Sequence, residues 1–117
     1  MWWYSQTPAT QALVRSFVKT GRWEFVGGGW SQNDEAVAHY SAVVEQMTEG
    51  HLLLLKEFGV TPLVSWQIDP FGASSITPTI FSKMGIRYHV IDRIDDRLKS
   101  VYLPLVGTWL TIKYFFS

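Results

Sequence analysis

Leu63-Val64-Ser65-Trp66-Gln67-Ile68-Asp69-Pro70-Phe71-Gly72-Ala73-Ser74-Ser75 is the stretch on which the rest of the chain is organised. Leu63 to Ile68 is an apolar run with a β-branched and aromatic bias, bounded by Pro62 and by Pro70 and Gly72. That pattern predicts a short, mostly buried strand. Pro70 lacks a backbone N–H and disfavours helix at the residue before it, so the strand must stop at Asp69. A carboxylate is thereby held at the exit of a buried strand, beside a Gly-Ala-Ser-Ser loop. In α/β folds that edge is where sites are built. On pattern alone an Asx turn at a strand end explains Asp69 equally well.

Outward from that stretch the chain alternates. Thr7-Pro8 reads as an N-cap with proline at the first helical position. Leu13, Val14, Phe17 and Val18 then mark one apolar face, and Gly21 supplies a stop. Arg22 to Val26 alternates polar and apolar residues and predicts a strand, which runs into Gly27-Gly28-Gly29-Trp30. There the backbone must turn sharply or approach something closely. Three glycines without a following Lys-Ser/Thr are not a phosphate loop. Ser31 and Asp34 have capping-box spacing, with Asn33 as a competing cap. The helix they open carries Val37, Tyr40, Val44, Met47, Leu54 and Phe58 at helical spacing. Gly50 predicts a weak point or break inside it, because glycine there costs about 1 kcal/mol relative to alanine. Gly59 ends that helix, Pro78 to Met84 predicts another closed by Gly85, and Ile86 to Ile91 a further strand.

The resulting order is helix, strand, helix, strand, helix, strand. Crossover helices imply parallel strands in an α/β sheet or barrel. Three strands cannot close a barrel, so the expected architecture is a partial β/α barrel with parallel strands. Beyond Asp92-Arg93-Ile94-Asp95-Asp96-Arg97, residues 100–117 break the rhythm with an apolar, aromatic tail interrupted by Pro104, Gly107 and Lys113. A membrane span needs about 20 apolar residues, and the tail is too short for one. Left uncovered, such a surface favours association.

Composition narrows the function classes. At 117 residues there is room for one domain with a small core. Ten basic residues balance ten acidic ones and no basic stripe stands out, which argues against a nucleic-acid partner. Without cysteine there is no disulfide, thiolate nucleophile or Cys-ligated metal, and the redox compartment stays open. The N-terminus lacks the basic and apolar regions of a signal peptide. It starts on aromatics, as though an upstream portion were missing.

Four motifs occur in register: Phe25-Val26-Gly27-Gly28-Gly29-Trp30, Asn33-Asp34-Glu35-Ala36 followed by His39-Tyr40, Gln46-Met47-Thr48-Glu49-Gly50, and Trp66-Gln67-Ile68-Asp69-Pro70-Phe71-Gly72. Together they resemble the N-terminal catalytic domain of the zinc-dependent α-mannosidases of glycoside hydrolase family 38, the lysosomal type most closely. The likeness covers residues 1–99 as part of that domain, and residues 100–117 form a divergent tail. The resemblance implies a fragment of a seven-stranded β/α barrel and a retaining mechanism on terminal α-mannose. Asp69 stands where the family has its nucleophile, which also contacts zinc. A carboxylate can attack an oxocarbenium-like anomeric carbon to give a glycosyl-enzyme that water later releases. Zinc would orient sugar hydroxyls and stabilise developing charge. Arg93 resembles the arginine that family members place beside nucleophile and sugar; without the family it reads as a solvated charge among Asp92, Asp95 and Asp96.

The departures bear on function. The family's upstream His-x-Asp zinc ligands, its downstream zinc histidine and its acid/base aspartate have no counterpart here. A zinc site needs about four ligands, and Asp69 is the one candidate metal ligand in the matched region. His39, His51 and His89 lack the helical i, i+4 pairing of a metal site and are expected to pack or sit at the surface. Asp34 and Glu35 read as helix N-terminal acids complementing the macrodipole. Trp2 and Trp3 could stack on sugar, although core packing is the plainer role. The expected partners are mannose-containing glycans and the remainder of a catalytic domain, with no membrane span. The compartment stays undetermined; the family implies a lysosomal, vacuolar or Golgi lumen. A non-catalytic remnant binding carbohydrate or a partner through the Asp69 loop, and a truncated gene model, are the competing readings.

Overall fold

Thr7 opens the first helix as its sequence demands. In the computed structural model, which describes residues 2–93, 95–97 and 100 and the backbone of 111–112, the Thr7 hydroxyl accepts the Thr10 N–H at 3.2 Å. Helix α1 runs Pro8–Lys19, and Gly21 leaves it at φ +71°. The 3-10 turn Trp2–Ser5 precedes α1. It buries Trp3 against Phe58 with ring centroids 4.7 Å apart, while Trp2 stays 60% exposed. The turn is clasped by Glu57, whose carboxylate accepts the Trp3 indole N–H at 3.0 Å and the Tyr4 hydroxyl at 3.1 Å. Arg15 completes the clasp at 3.1 Å. The Trp3 hydrogen bond foremost, then Tyr4 and Arg15, hold the Glu57 carboxyl below its ordinary value against the opposing effect of desolvation.

Arg22 to Val26 is not a strand as the alternation predicts: Arg22 and Trp23 still bend off the end of α1, both donating to the Phe17 carbonyl. Gly27 donates to the Val64 carbonyl at 2.7 Å and Gly28 to the Val26 carbonyl at 2.8 Å. The second bond closes a γ-turn at Gly27, whose φ is +67°. One ladder bond forms beside the sheet before that turn bends the chain away.

Helix α2, Tyr40–Phe58, starts later than predicted. Its cap is His39, whose ring accepts the Ser41 N–H at 3.3 Å. The side chains expected to cap it are engaged elsewhere. Asp34 Oδ1 takes the Ala36 N–H at 2.8 Å in a local turn, and Asn33 Oδ1 accepts from Gln67 at 3.1 Å. Asp34 and Glu35 are therefore loop residues and not first-turn acids. Gly50 does not break α2; it is a notch. A Cβ there would lie 2.5 Å from Gly29 C and 2.6 Å from Trp30 N, and closer still to Gly28 O. The missing side chain lets the glycine loop lie on the helix backbone, where Trp30 N–H reaches the Gln46 carbonyl at 2.9 Å. Gly59, in the left-handed region at φ +71°, ends α2.

Strand β1 is Val64–Gln67, helix α3 is Ile76–Lys83 and strand β2 is Tyr88–Ile91. Each lies inside or within two residues of its predicted span, and Gly85 turns the chain between α3 and β2 at φ +89°. β1 and β2 pair in parallel from Val64↔Tyr88 to Gln67↔Ile91. Two parallel strands thus replace the three expected, giving a piece of α/β structure. The backbone of Thr111–Ile112, β3, adds antiparallel to β2; the rest of the tail lies outside the described residues.

The core sits between one sheet face and the helices. Val43 and Met47 of α2 meet Phe81 of α3 and Ile86, with Ile80 and Met84 packed around them. The residues β1 and β2 bury are polar: Ser65, Gln67 and His89. Val64 and Trp66, on the opposite face, are only half-buried. Among the described residues no helix is long and apolar enough to cross a membrane.

Candidate functional site

β1 ends at Gln67, so Asp69 lies two residues past the carboxyl end of a parallel strand. β2 ends at Ile91, and Arg93 lies two residues past the same edge. Parallel neighbours with a common register bring these ends together. The expected pairing forms: Arg93 Nε donates to Asp69 Oδ1 at 2.5 Å, and Arg93 Nη2 meets the same oxygen. Both donors converge on Oδ1, which leaves Oδ2 without a hydrogen bond among the described residues. The side chains of Arg93 and Asp69 are 55% and 59% exposed. The guanidinium also stands 5.5 Å from the centroid of the Phe71 ring.

Two hollows flank the pair. One of about 260 Å³ is bounded by Gln32, Asn33, Asp34, Gln67, Asp69 and Phe71. The other, about 340 Å³, is bounded by Glu35, Ser74, Thr79, His89 and Arg93 among others. Gln67 forms part of both walls. Between them runs a polar network that the sequence reading missed. Gln32 Nε2 donates to the Trp66 carbonyl and to Gln67 Oε1, each at 3.2 Å. Gln67 Nε2 donates to Asn33 Oδ1 at 3.1 Å, and Glu35 Oε2 accepts the Ser74 N–H at 2.9 Å. The available signal was Gln67 itself, a polar residue inside an apolar run.

The histidines take structural places. His39 caps α2, and His51 Nε2 bonds the Gly27 carbonyl at 3.0 Å. His89 is buried, 2.5 Å from the Ser65 hydroxyl through Nδ1. Ser65 gives its own proton to the Tyr88 carbonyl at 3.2 Å, so Nδ1–H is the donor to Ser65 and the neutral ring is held in one tautomer. Desolvation pushes the His89 pKa down, with the Glu35 charge pulling the other way.

The described donors do not make up a zinc site. No three of His, Cys, Asp and Glu converge among the described residues. Asp69 offers one oxygen beyond Arg93, and Asp34, on the same hollow, has an oxygen committed to the Ala36 N–H. A tetrahedral cation needs about four donors.

Residues 1–106 match the model of the glycosyl hydrolases family 38 N-terminal domain. "Alpha-mannosidase B" of Dictyostelium discoideum is 55% identical over 114 residues, covering 94% of this chain and 11% of that protein. The lysosomal alpha-mannosidase of Homo sapiens is 48% identical over 102 residues, covering 86% of this chain and 10% of its own. That of Felis catus is 43% identical over 113 residues, covering 92% and 11%. The chain therefore spans about a tenth of the length of these relatives.

Proposed function

The chain belongs to glycosyl hydrolase family 38, and from that premise we propose that it is part of an α-mannosidase catalytic domain in which Asp69 is the nucleophile. Residues 1–99 belong to that domain on this reading, and 100–117 form a divergent tail. The observation that carries it is the Asp69–Arg93 pair at the carboxyl ends of two adjacent parallel strands. Such an edge is where β/α barrels assemble their chemistry.

Arg93 grips Oδ1 through two donors, which leaves Oδ2 without a hydrogen bond among the described residues, and Asp69 lines the hollow of about 260 Å³. Attack by Oδ2 forms a bond to the anomeric carbon as the bond from that carbon to the leaving oxygen breaks, and configuration is retained after water reverses the step. The departing oxygen takes a proton from an acid outside the described residues, and zinc, which the family implies, would take Asp69 as one ligand and draw the others from outside them. Mannose-containing glycans are the substrate class. The two-carboxylate requirement leaves this segment inactive by itself.

The test is a graft. Residues 2–97 replace the corresponding segment of the Dictyostelium alpha-mannosidase B, and the hybrid is assayed on an aryl α-mannoside. A working hybrid that Asp69→Asn silences supports the nucleophile. A folded hybrid without activity supports instead a non-catalytic remnant, and a hybrid indifferent to Asp69→Asn removes the role from this residue.

A further inference from the structure

The Asp69–Arg93 pair is more than half exposed on both sides. Exposed ion pairs contribute little to stability, too little to hold two side chains in one geometry against their own rotamer entropy. The order must come from the backbone that carries Asp69, and that backbone is held from one loop on both sides of the residue.

Ahead of Asp69 the grip is an amide chain with a fixed direction. The Trp66 carbonyl can only accept, so the Gln32 amide nitrogen must face it at 3.2 Å. The same nitrogen then donates to Gln67 Oε1, also at 3.2 Å, which turns Gln67 Nε2 toward Asn33 Oδ1 at 3.1 Å. Gln67 is 2% exposed, so solvent cannot substitute for these partners. Behind Asp69 the grip is Glu35, whose Oε2 takes the Ser74 N–H at 2.9 Å. Beside it, a Cβ at Gly72 would stand 3.0 Å from Ala36 Cβ, so the two loops touch closely. The gripping loop is itself closed by Asp34 Oδ1 on the Ala36 N–H at 2.8 Å.

We infer that residues 32–36 are a bracket that positions Asp69, with Gln32 and Asn33 fixing the strand before it and Glu35 fixing the loop after it. These are positioning residues; they act through Gln67 and Ser74. The functional meaning rests on the proposed nucleophile, but the geometry is readable in the chain itself. The bracket also accounts for carboxylates in a loop where helix capping does not.

The experiment follows the Arg93 Nε–H signal by nitrogen-15 NMR of the full chain labelled in arginine, assigned by its loss in Arg93→Lys. Glu35→Ala should speed exchange of that proton with water roughly three- to tenfold, the range one lost net hydrogen bond supports. Glu35→Gln keeps an acceptor for Ser74 and should restore the wild-type rate. Gly72→Ala places a methyl 3.0 Å from Ala36 Cβ, straining the loop contact without touching a charge, and should also speed exchange, which keeps the test open if Glu35→Ala does not fold. An unchanged Arg93 signal in folded Glu35→Ala or in Gly72→Ala overturns the bracket, as does Glu35→Gln behaving like Glu35→Ala. Loss of mannosidase activity in the graft with these NMR effects intact would count against the nucleophile alone.

Discussion

Replacing Gly50 with alanine sets two effects of opposite sign against each other. Helix propensity favours alanine in the interior of α2 by about 1 kcal/mol. Packing opposes it, because the new methyl would fall 2.5 Å from Gly29 C and 2.6 Å from Trp30 N. Those are backbone atoms, and they cannot rotate away as a side-chain end can. Overpacking of this kind costs about 1–3 kcal/mol. Displacing the glycine loop also loosens the Trp30 N–H bond to the Gln46 carbonyl, now 2.9 Å, worth a further ~1 kcal/mol net. The balance is a destabilisation of about 2 kcal/mol, which corresponds to a fall of roughly 10 °C in Tm for a domain of this size. Urea unfolding followed by helical circular dichroism reads it as a lower midpoint at an unchanged slope. Gly59→Ala is the control of a different kind. No atom lies within 4 Å of its added Cβ, so its cost comes from φ +71° alone and is about 1–2 kcal/mol. If Gly50→Ala melts at or above the parent temperature, the notch is not a notch.

Stability should fall on acidification in two stages. His89 has a lowered pKa when folded, so between its ordinary and folded values the unfolded chain binds more protons. Its contribution is therefore complete above about pH 6.5 and declines as pH drops below it. His89→Gln should flatten the slope between neutral and mildly acidic pH; a slope unchanged by the substitution would exclude this origin. Glu57 also has a lowered pKa, so its clasp persists above the ordinary carboxylate value and is lost as pH falls below it, a loss Glu57→Gln should remove from the melting profile. Purified as this chain alone and dialysed against zinc, the protein should neither retain stoichiometric metal nor hydrolyse an aryl α-mannoside. Stoichiometric zinc together with a rate abolished by Asp69→Asn would show that the segment builds a complete site of its own.

Much of the local structure is legible in the sequence because its signals are short-range. Thr7-Pro8 caps α1, Gly21, Gly59 and Gly85 end their helices, and the strand before Asp69 is legible although it ends at Gln67, two residues earlier than Pro70 requires. Arg93 is legible by resemblance, and its approach to Asp69 follows from parallel pairing at a shared edge. What was misread depends on partners distant in sequence. Asn33 and Asp34 have the residue types of helix caps, but Gln67 lies 34 positions from Asn33 and claims it. Gly50 looks like a break until the glycine loop, some twenty residues away, is seen lying on it. Arg22 to Val26 has strand alternation, and two consecutive positive-φ glycines, Gly27 and Gly28, end its pairing after a single bond. The burial of Ser65, Gln67 and His89 inverts the usual expectation that the apolar face goes inward. Those polar groups can be buried because they satisfy one another and the backbone, as Ser65 does with His89 and the Tyr88 carbonyl. Such satisfaction leaves no periodic mark in a sequence.

The measurement that bears most directly on the central claim is covalent trapping in the grafted enzyme. A fluorinated α-mannosyl inactivator with a good leaving group forms a glycosyl-enzyme that hydrolyses slowly, and the labelled residue is found by peptide mass spectrometry. The account predicts one mannosyl adduct on the peptide containing Asp69, absent in Asp69→Asn. An adduct on any other carboxylate, or labelling that persists in Asp69→Asn, would contradict it.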